Sequence, residues 1–527
     1  MNILLSSVFG PFGIDDQYGI KENVMELFHS QVTRQQGLFS LRCHHHSFGL
    51  YFIAENINAP VTVLDFPSKK RFIREIKKGY DYVGISFIVP NFSKAKRMAQ
   101  LVRQHAPHSK IILGGHGTRI EGIEELIDHD FVCKGEGVKW FRRLLGEDPE
   151  RQFSHPVLPS GFSERTLGIP LKTEAAVLIP GVGCPNACRF CATSHFFDKE
   201  YTPYFDSGEE LFAVCLKMEK QLGSREFFVM DENFLKRKKR VLELMELMEK
   251  HDKLYRFGIF SSADTVADLG VELMARLGIY FVWIGVESCK ELFEKNRGVD
   301  MKALVRRLRD HGIGVLTSTI LFLEHHDQDS IWEDINFTVD LEPDFAQFMQ
   351  LGPFPMTALY QEYDRRGLLR KTIPFKDWHG QYRIWFDHPH FTLEESEVFL
   401  KQAFQHEYDT LGSGMLRMCE TVIRGYETLG NYSDGMLIKR REQLGAVARR
   451  YYPVLPVMHK YAHNSRVRQL THRVMERYRT ALGPLPFYNR LHTTAASFFA
   501  AREARRLRKG NSVYQPKTFK TRFGGAK

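Results

Sequence analysis

The sequence predicts an α/β protein built in two successive parts, with a helical region after them. The first part is a doubly wound parallel sheet, the second an incomplete parallel β/α barrel of six strand–helix repeats. Three observations carry this. Short apolar runs alternate with helix-like stretches over residues 1–147, a second such series fills residues 173–390, and from Phe391 onward the periodicity is helical.

In the first series the strands are "NILLSSVF", "VTVLDF", "DYVGISFIV", "KIILGG" and "DFVCKGEG". Between them lie "SFGLYFIAENI", "SKKRFIREIKKG" and "SKAKRMAQLVRQHA", whose apolar residues recur at helical spacing. Ser86, the pair Gly114 and Gly115, and Gly135, Glu136 and Gly137 stand where strands end. Ligands of such sheets bind at the carboxyl edge of the strands, and glycine there lets the backbone approach them closely. Residues 148–172, rich in proline, serine and glycine, read as a linker. The second series runs "AAVLIP", "REFFVMDENF", "YRFGIFSSAD", "FVWIGVES", "GIGVLTSTILFLE" and "FAQFMQLGPFP". Ser207 with Glu210 offers a capping box at the start of its first long helix. Residues 391–510 are expected to be helical and basic, and residues 511–527 to form a disordered basic tail.

With 43% hydrophobic and 26% charged residues, the chain is neither disordered nor fibrous. No apolar stretch is long enough to span a bilayer and the start lacks a basic leader, so a cytoplasmic protein is expected. Five of the eight cysteines are scattered singly, which suits reduced thiols. The net charge of +10 is local, because from Asn431 to Lys527 there are 21 Lys and Arg against 4 Asp and Glu. Helix "TTAASFFAAREARRLRKG" in that region suits a solvated face packed on the barrel, an anionic membrane surface, or nucleic acid. Nucleic acid ranks last, since no recognised module accompanies it.

The chemistry concentrates at "GVGCPNACRFC", where Cys184, Cys188 and Cys191 follow a strand. Three thiolates at this spacing converge on one metal or cluster, and soft sulfur suits zinc or iron–sulfur. A structural zinc would take His195 as its fourth ligand. Downstream strands end in Asp231, Glu232 and Asn233, in Ser261, Ser262 and Asp264, and in Glu287 and Ser288. A zinc staple needs no such polar rim, whereas a reaction centre does; singly, each of these residues also reads as a helix cap.

Cys184-x-x-x-Cys188-x-Phe190-Cys191 resembles the signature of the radical S-adenosylmethionine (SAM) superfamily. The resemblance implies a [4Fe-4S] cluster held by the three cysteines, with one iron open to SAM. It implies SAM contacts at Phe190, at Asp231, Glu232 and Asn233 of "MDENF", at Ser261, at Glu287 of "GVES" and at Arg297. "LGPFPMTALY" is similar to the family's sixth-strand ending, with Met356 where glycine is usual. "LFLEHHDQD" departs from it, and His325 and His326 there read as exposed loop residues or substrate contacts.

A sheet domain before such a barrel resembles the cobalamin-binding domain of the B12-dependent branch, with "VGISFIVP", "IILGGHGT" and "CKGEG" at corresponding strand ends. This implies a Rossmann-like cobalamin-binding domain with contacts at Ser86, Gly114, Gly115, Gly135, Glu136 and Gly137, and it offers His46 of "HHHSFG" as a cobalt ligand. The implied activity is C-methylation of an unactivated carbon by a 5'-deoxyadenosyl radical and methylcobalamin. The rivals are a radical oxidative cyclisation or rearrangement with cobalamin, and a non-catalytic zinc-stabilised binding protein. An unknown small-molecule substrate is expected, lipid-like if the basic region meets a membrane. So are an external electron donor such as flavodoxin or ferredoxin, and peripheral contact with the inner membrane face through the basic C-terminal region.

Overall fold

The computed structural model describes residues 1–172, 174–290, 292–510 and 513–524. Strands β1 (Ile3–Ser7), β3 (Val61–Asp65), β4 (Tyr82–Ser86), β5 (Lys110–Gly114) and β6 (Phe131–Val132) form the expected parallel sheet in the order β3-β1-β4-β5-β6. β1 and β3 are buried along their whole length, as strands covered by helices on both faces must be. β2 (Arg42–His44) stands outside this sheet. It pairs with β7 (Phe162–Thr166), which pairs in turn with β8 (Ile169–Pro170).

That three-stranded sheet corrects the expectation of a linker over residues 148–172. The segment is folded: Leu158, Phe162 and Leu167 are buried, and a Cβ on Gly161 would meet the Cys43 sulfur at 2.6 Å. Its glycines and prolines serve close packing and turns rather than freedom.

The second series is an open six-stranded barrel in sequence order: β9 (Ala175–Leu178), β12 (Glu226–Val229), β13 (Arg256–Phe260), β14 (Ile279–Glu287), β15 (Gly314–Leu321) and β16 (Phe345–Gln350), all parallel. A hairpin of β10 (Gly181–Val182) and β11 (Thr202–Pro203) follows the first strand. The capping box of Ser207 and Glu210 is present. One apolar core runs from the first sheet into the barrel, and at the seam Phe52 stacks on Tyr204 with ring centroids 4.4 Å apart.

Five long helices lie between Leu393 and Arg508; those at Leu393–Leu411, Gly414–Thr428 and Gly435–Tyr451 pack on the barrel, and the last two pack on them and on the neighbouring turns. Arg309, buried on a barrel helix, ties them in by donating to Thr421 Oγ1 at 2.8 Å and pairing with Glu420 and Asp344. The chain then returns to the first domain. The expectation of a disordered tail fails for residues 513–524: β17 (Phe519–Phe523) pairs antiparallel with β3 at the edge of the first sheet. Its Phe519 packs on His46 and Phe162, and Lys520 pairs with Glu75 at 2.6 Å. The rest of the expected tail, residues 511, 512 and 525–527, lies outside the described residues.

Candidate functional site

The loop between β10 and β11 carries the three cysteines, all free thiols. Gly183, at φ +89°, begins it; a Cβ there would strike the Glu200 carbonyl oxygen, so only glycine fits. The loop is closed by its own hydrogen bonds. Cys191 N–H donates to the Cys188 carbonyl at 3.0 Å, Ser194 Oγ to the Cys184 carbonyl at 2.6 Å, and Lys236 Nζ reaches Asn186 from outside. Burial raises the pKa of all three thiols, that of Cys191 to about 12. Thiols held protonated in this way must each release a proton to become ligands.

The donor set fits an iron–sulfur cluster and not a zinc staple. His195 Nδ1 lies 3.0 Å from the Cys191 carbonyl and Nε2 accepts Ala358 N–H at 3.4 Å, so no ring nitrogen is free as fourth ligand. Zinc would also need its thiolates about 3.8 Å apart. Among the described residues the three ligand atoms gathered within 4.8 Å of one another belong to His325, His326 and Asp334, not to the cysteines. Wider spacing is what a cubane with one cysteine on each of three irons requires.

The barrel strands end on one polar rim, and its members are fixed by one another. Buried Asp231 accepts from Tyr201 Oη and Arg240 Nη2, both at 2.8 Å. Asn233 accepts from Ser261 Oγ at 2.8 Å and donates to Ser262 Oγ at 2.9 Å. Asp231 and Glu232 both line a cavity; Asp231 is buried, whereas Glu232 opens into the cavity with protein around its other sides. That enclosure, and next the Asp231 charge, raise its pKa to about 7. Glu287 sits at a bulge with φ +65° and pairs with Lys295, whose own pKa rises although burial opposes it, through Glu287 first and then Cys188 and Cys191. Phe190 meets Phe293 edge to face at 5.6 Å.

A cavity of about 600 Å³ lies between the two domains. Ser86, Gly114, Gly115, Gly135, Glu136 and Gly137 from the first sheet line it, as do Asp231, Glu232 and Phe260 from the barrel. A Cβ on Gly114 would meet nothing within 4 Å, so the missing side chain leaves room for a ligand. Gly115 is required instead by packing, since at φ +84° its Cβ would lie 2.6 Å from the Phe87 carbonyl oxygen. Glu136 is less free than expected. It caps its helix by accepting from Val138 and Lys139 N–H at 2.8 and 2.7 Å, and it takes the Tyr204 hydroxyl at 2.7 Å across the domain seam. His116 enters the cavity stacked on Phe196 at 4.3 Å, and burial lowers its pKa to about 4, so its imidazole is neutral.

Three expectations need correction. His46 does not line the cavity: it is buried beside Asp65 at 3.4 Å and Tyr51 at 3.3 Å, between Phe162 and Phe519, and cannot reach a cobalt there. Arg297 is exposed, and the cation turned inward at that part of the rim is the half-buried Lys295. His326 is not an exposed loop residue. It is fully buried, its Nδ1 accepts Leu323 N–H at 3.1 Å, and its Nε2 therefore carries the proton shared with Asp334 at 2.8 Å. That arrangement leaves no lone pair for a metal. Asp334 accepts in turn from Ser288 Oγ and Cys289 N–H, and so braces the loop after Glu287. Tyr201, Arg240, Lys295 and Asp334 escaped the sequence reading because none falls in a quoted motif, and His116 was passed over inside "IILGGHGT"; only contacts brought by folding single them out. The segment between β1 and β2 plugs the barrel, with Phe28 against Trp283 and Phe345 and Gln31 accepting from Gln347 at 2.7 Å.

A cysteine loop with no fourth ligand among the described residues, beside a barrel rim that faces a glycine-edged sheet across one cavity, fits an iron–sulfur enzyme with a second cofactor. Residues 178–338 match the model of the radical SAM superfamily, and residues 38–145 that of a B12-binding domain, so the chain carries both domains, the B12-binding one first. Its cofactors are a [4Fe-4S] cluster, SAM and cobalamin. It is 23% identical over 325 residues to an anaerobic magnesium-protoporphyrin IX monomethyl ester cyclase of Rubrivivax gelatinosus, a match covering 54% of this chain and 58% of that protein, less than two thirds of its length. It is 24% identical over 327 residues to a bacteriochlorophyllide d C-8(2)-methyltransferase of Chlorobaculum tepidum, covering 57% and 71% respectively. Among solved structures, the radical SAM methyltransferase TsrM of Kitasatospora setae, with cobalamin and a [4Fe-4S] cluster bound, shares the fold at TM-score 0.54 and 14% identity over 85% of this chain and 99% of that one.

Proposed function

We propose that the chain is a cobalamin-dependent radical SAM enzyme that methylates an unactivated carbon. The observation that carries this reading is the single cavity onto which both the glycine edge of the first domain and the barrel rim open. Two cofactors face each other across one space only if a substrate is to lie between them. When bound, the cluster and SAM supply homolytic cleavage of a carbon–sulfur bond, and cobalamin a transferable methyl group.

The protein's part is to hold, orient and exclude water. Cys184, Cys188 and Cys191 hold the cluster. Glu232, poised near pH 7, takes the ammonium group of SAM in its ionised form, while Asp231 and Asn233 fix the strand end that carries it. Glu287 and Ser261 face the ribose, Phe190 the adenine, and Lys295 supplies the cation that Arg297 does not. Ser86, Gly114, Gly115, Gly135, Glu136 and Gly137 receive the cobalamin. Phe87, Phe196, Phe197 and Phe260 wall the cavity and, among the described residues, no lysine or arginine lines it, which suits a largely apolar substrate and keeps a reactive carbon from water. Tetrapyrroles, named for the relatives, are therefore the first substrates to try. Reduction requires an external one-electron donor such as flavodoxin or ferredoxin. No described helix is long and apolar enough to cross a membrane, and we place the protein in the cytoplasm with its basic C-terminal region against the inner membrane face.

The test is anaerobic purification with assay of iron, sulfide and cobalamin, then reduction with SAM and tetrapyrrole candidates. Methylated product together with deoxyadenosine supports the reading. Deoxyadenosine with an oxidised or cyclised product favours the second reading, which the cyclase relative supports. Absence of deoxyadenosine overturns both.

A further inference from the structure

The last long helix, Phe487–Arg508, has two faces of different chemistry. Ala496, Ala500 and Glu503 are buried against the rest of the molecule, and Glu503, the only acidic residue of the helix, pairs with Arg506 at 2.7 Å. On the other side Leu491, Ala495, Phe498, Arg502, Arg505 and Lys509 follow one another at spacings of four, three, four, three and four, so they form one stripe along the axis. Every one of them is exposed, Leu491 at 72% and Phe498 at 67%. The stripe is apolar in its first half and cationic in its second, and it carries no carboxylate.

A face kept merely for solvation mixes both signs of charge and avoids large apolar side chains. A face that binds nucleic acid through phosphates gains nothing from an exposed leucine at its start and an exposed phenylalanine near its centre. Apolar residues and cations on a single helical stripe match the boundary between acyl chains and anionic headgroups. The surroundings agree in sign, with 21 Lys and Arg against 4 Asp and Glu from Asn431 to Lys527.

We propose that this stripe docks the protein on an anionic bilayer. Leu491 and Phe498 enter the headgroup boundary, and Arg502, Arg505 and Lys509 meet lipid phosphates. The inference rests on the peripheral contact proposed above and names the surface that makes it.

The test is co-sedimentation of the full chain, loaded with its cofactors, with vesicles of phosphatidylcholine alone or mixed with phosphatidylglycerol. Binding to the mixed vesicles is expected, weakening at raised salt. The double variants Leu491→Glu with Phe498→Glu, and Arg502→Glu with Arg505→Glu, should each lower it about tenfold or more, with circular dichroism and cluster absorbance unchanged. Binding that survives in both variants overturns the stripe and leaves the wider contact standing. No binding to any vesicle overturns both. Equal binding to phosphatidylcholine alone removes the charge argument and overturns the assignment to anionic lipid. Tighter binding to duplex DNA, lost in the same variants, overturns lipid in favour of nucleic acid.

Discussion

The two edges of the central cavity are built on opposite plans. The edge from the first sheet is made largely of absent side chains: Gly114 leaves open space, Gly115 and Gly137 let backbone and neighbours close in, and its one carboxylate is spent on a helix cap and a cross-domain bond. The barrel gives the cavity Asp231 and Glu232, and the rim behind them is made of charges and amides that hold one another, Asp231 with Arg240, Glu287 with Lys295, Asn233 with Ser261. A large rigid ligand is received by shape, and a small zwitterionic one by placed charge. Damage to one edge should therefore leave the other able to bind.

The largest expected effect is that of Cys188→Ala. Loss of one of three ligands should abolish cluster absorbance and deoxyadenosine formation while cobalamin still co-purifies; loss of cobalamin as well would break the independence of the edges. Gly114→Val is the mirror case. Its side chain would enter open space, so folding and cluster content should hold while cobalamin affinity falls about tenfold or more, read by equilibrium dialysis against the wild type. Next comes the pH dependence of SAM binding. Glu232 has its pKa raised to about 7, so below that value it is neutral and offers an ammonium group no charge. SAM affinity should rise as pH climbs toward 7 and level off above it, and Glu232→Gln should flatten the profile. For the apoprotein the sign reverses: the neutral form is favoured only in the fold, so this group costs stability progressively as pH rises from about 4.5 to about 7. The smallest effect is that of Tyr204→Phe, which removes the hydroxyl that joins the barrel to Glu136. About 1 kcal/mol of thermal stability should go, with both cofactors still bound.

What the sequence made legible was whatever repeats or sits at a fixed spacing. The two strand–helix series, the cysteine loop and the glycine turns were readable because each is local. Met356, standing where glycine was expected, takes φ +78°, so even that departure had a backbone meaning. What escaped was set by distance. Arg297 is the cation the resemblance offers, yet Lys295 turns inward, because spacing inside an irregular loop does not say which cation does so. His46 has a helix start beside it and reads as a ligand, yet Asp65 and the returning Phe519 enclose it. The alternating "KTFKTRF" of the tail is a strand pattern, but its partner lies at the other end of the chain.

That pairing sets an order on how the molecule is made. Thr518 Oγ1 donates to the Phe66 carbonyl across 452 positions of sequence. At ribosomal rates of roughly 5–20 residues per second, the first domain waits on the order of half a minute before its outer strand exists. Through that interval β3 is a bare edge in a crowded cell, open to pairing with other nascent chains. A chaperone that shields it, or slow release of the finished chain, would then govern yield more than the stability of the final fold does.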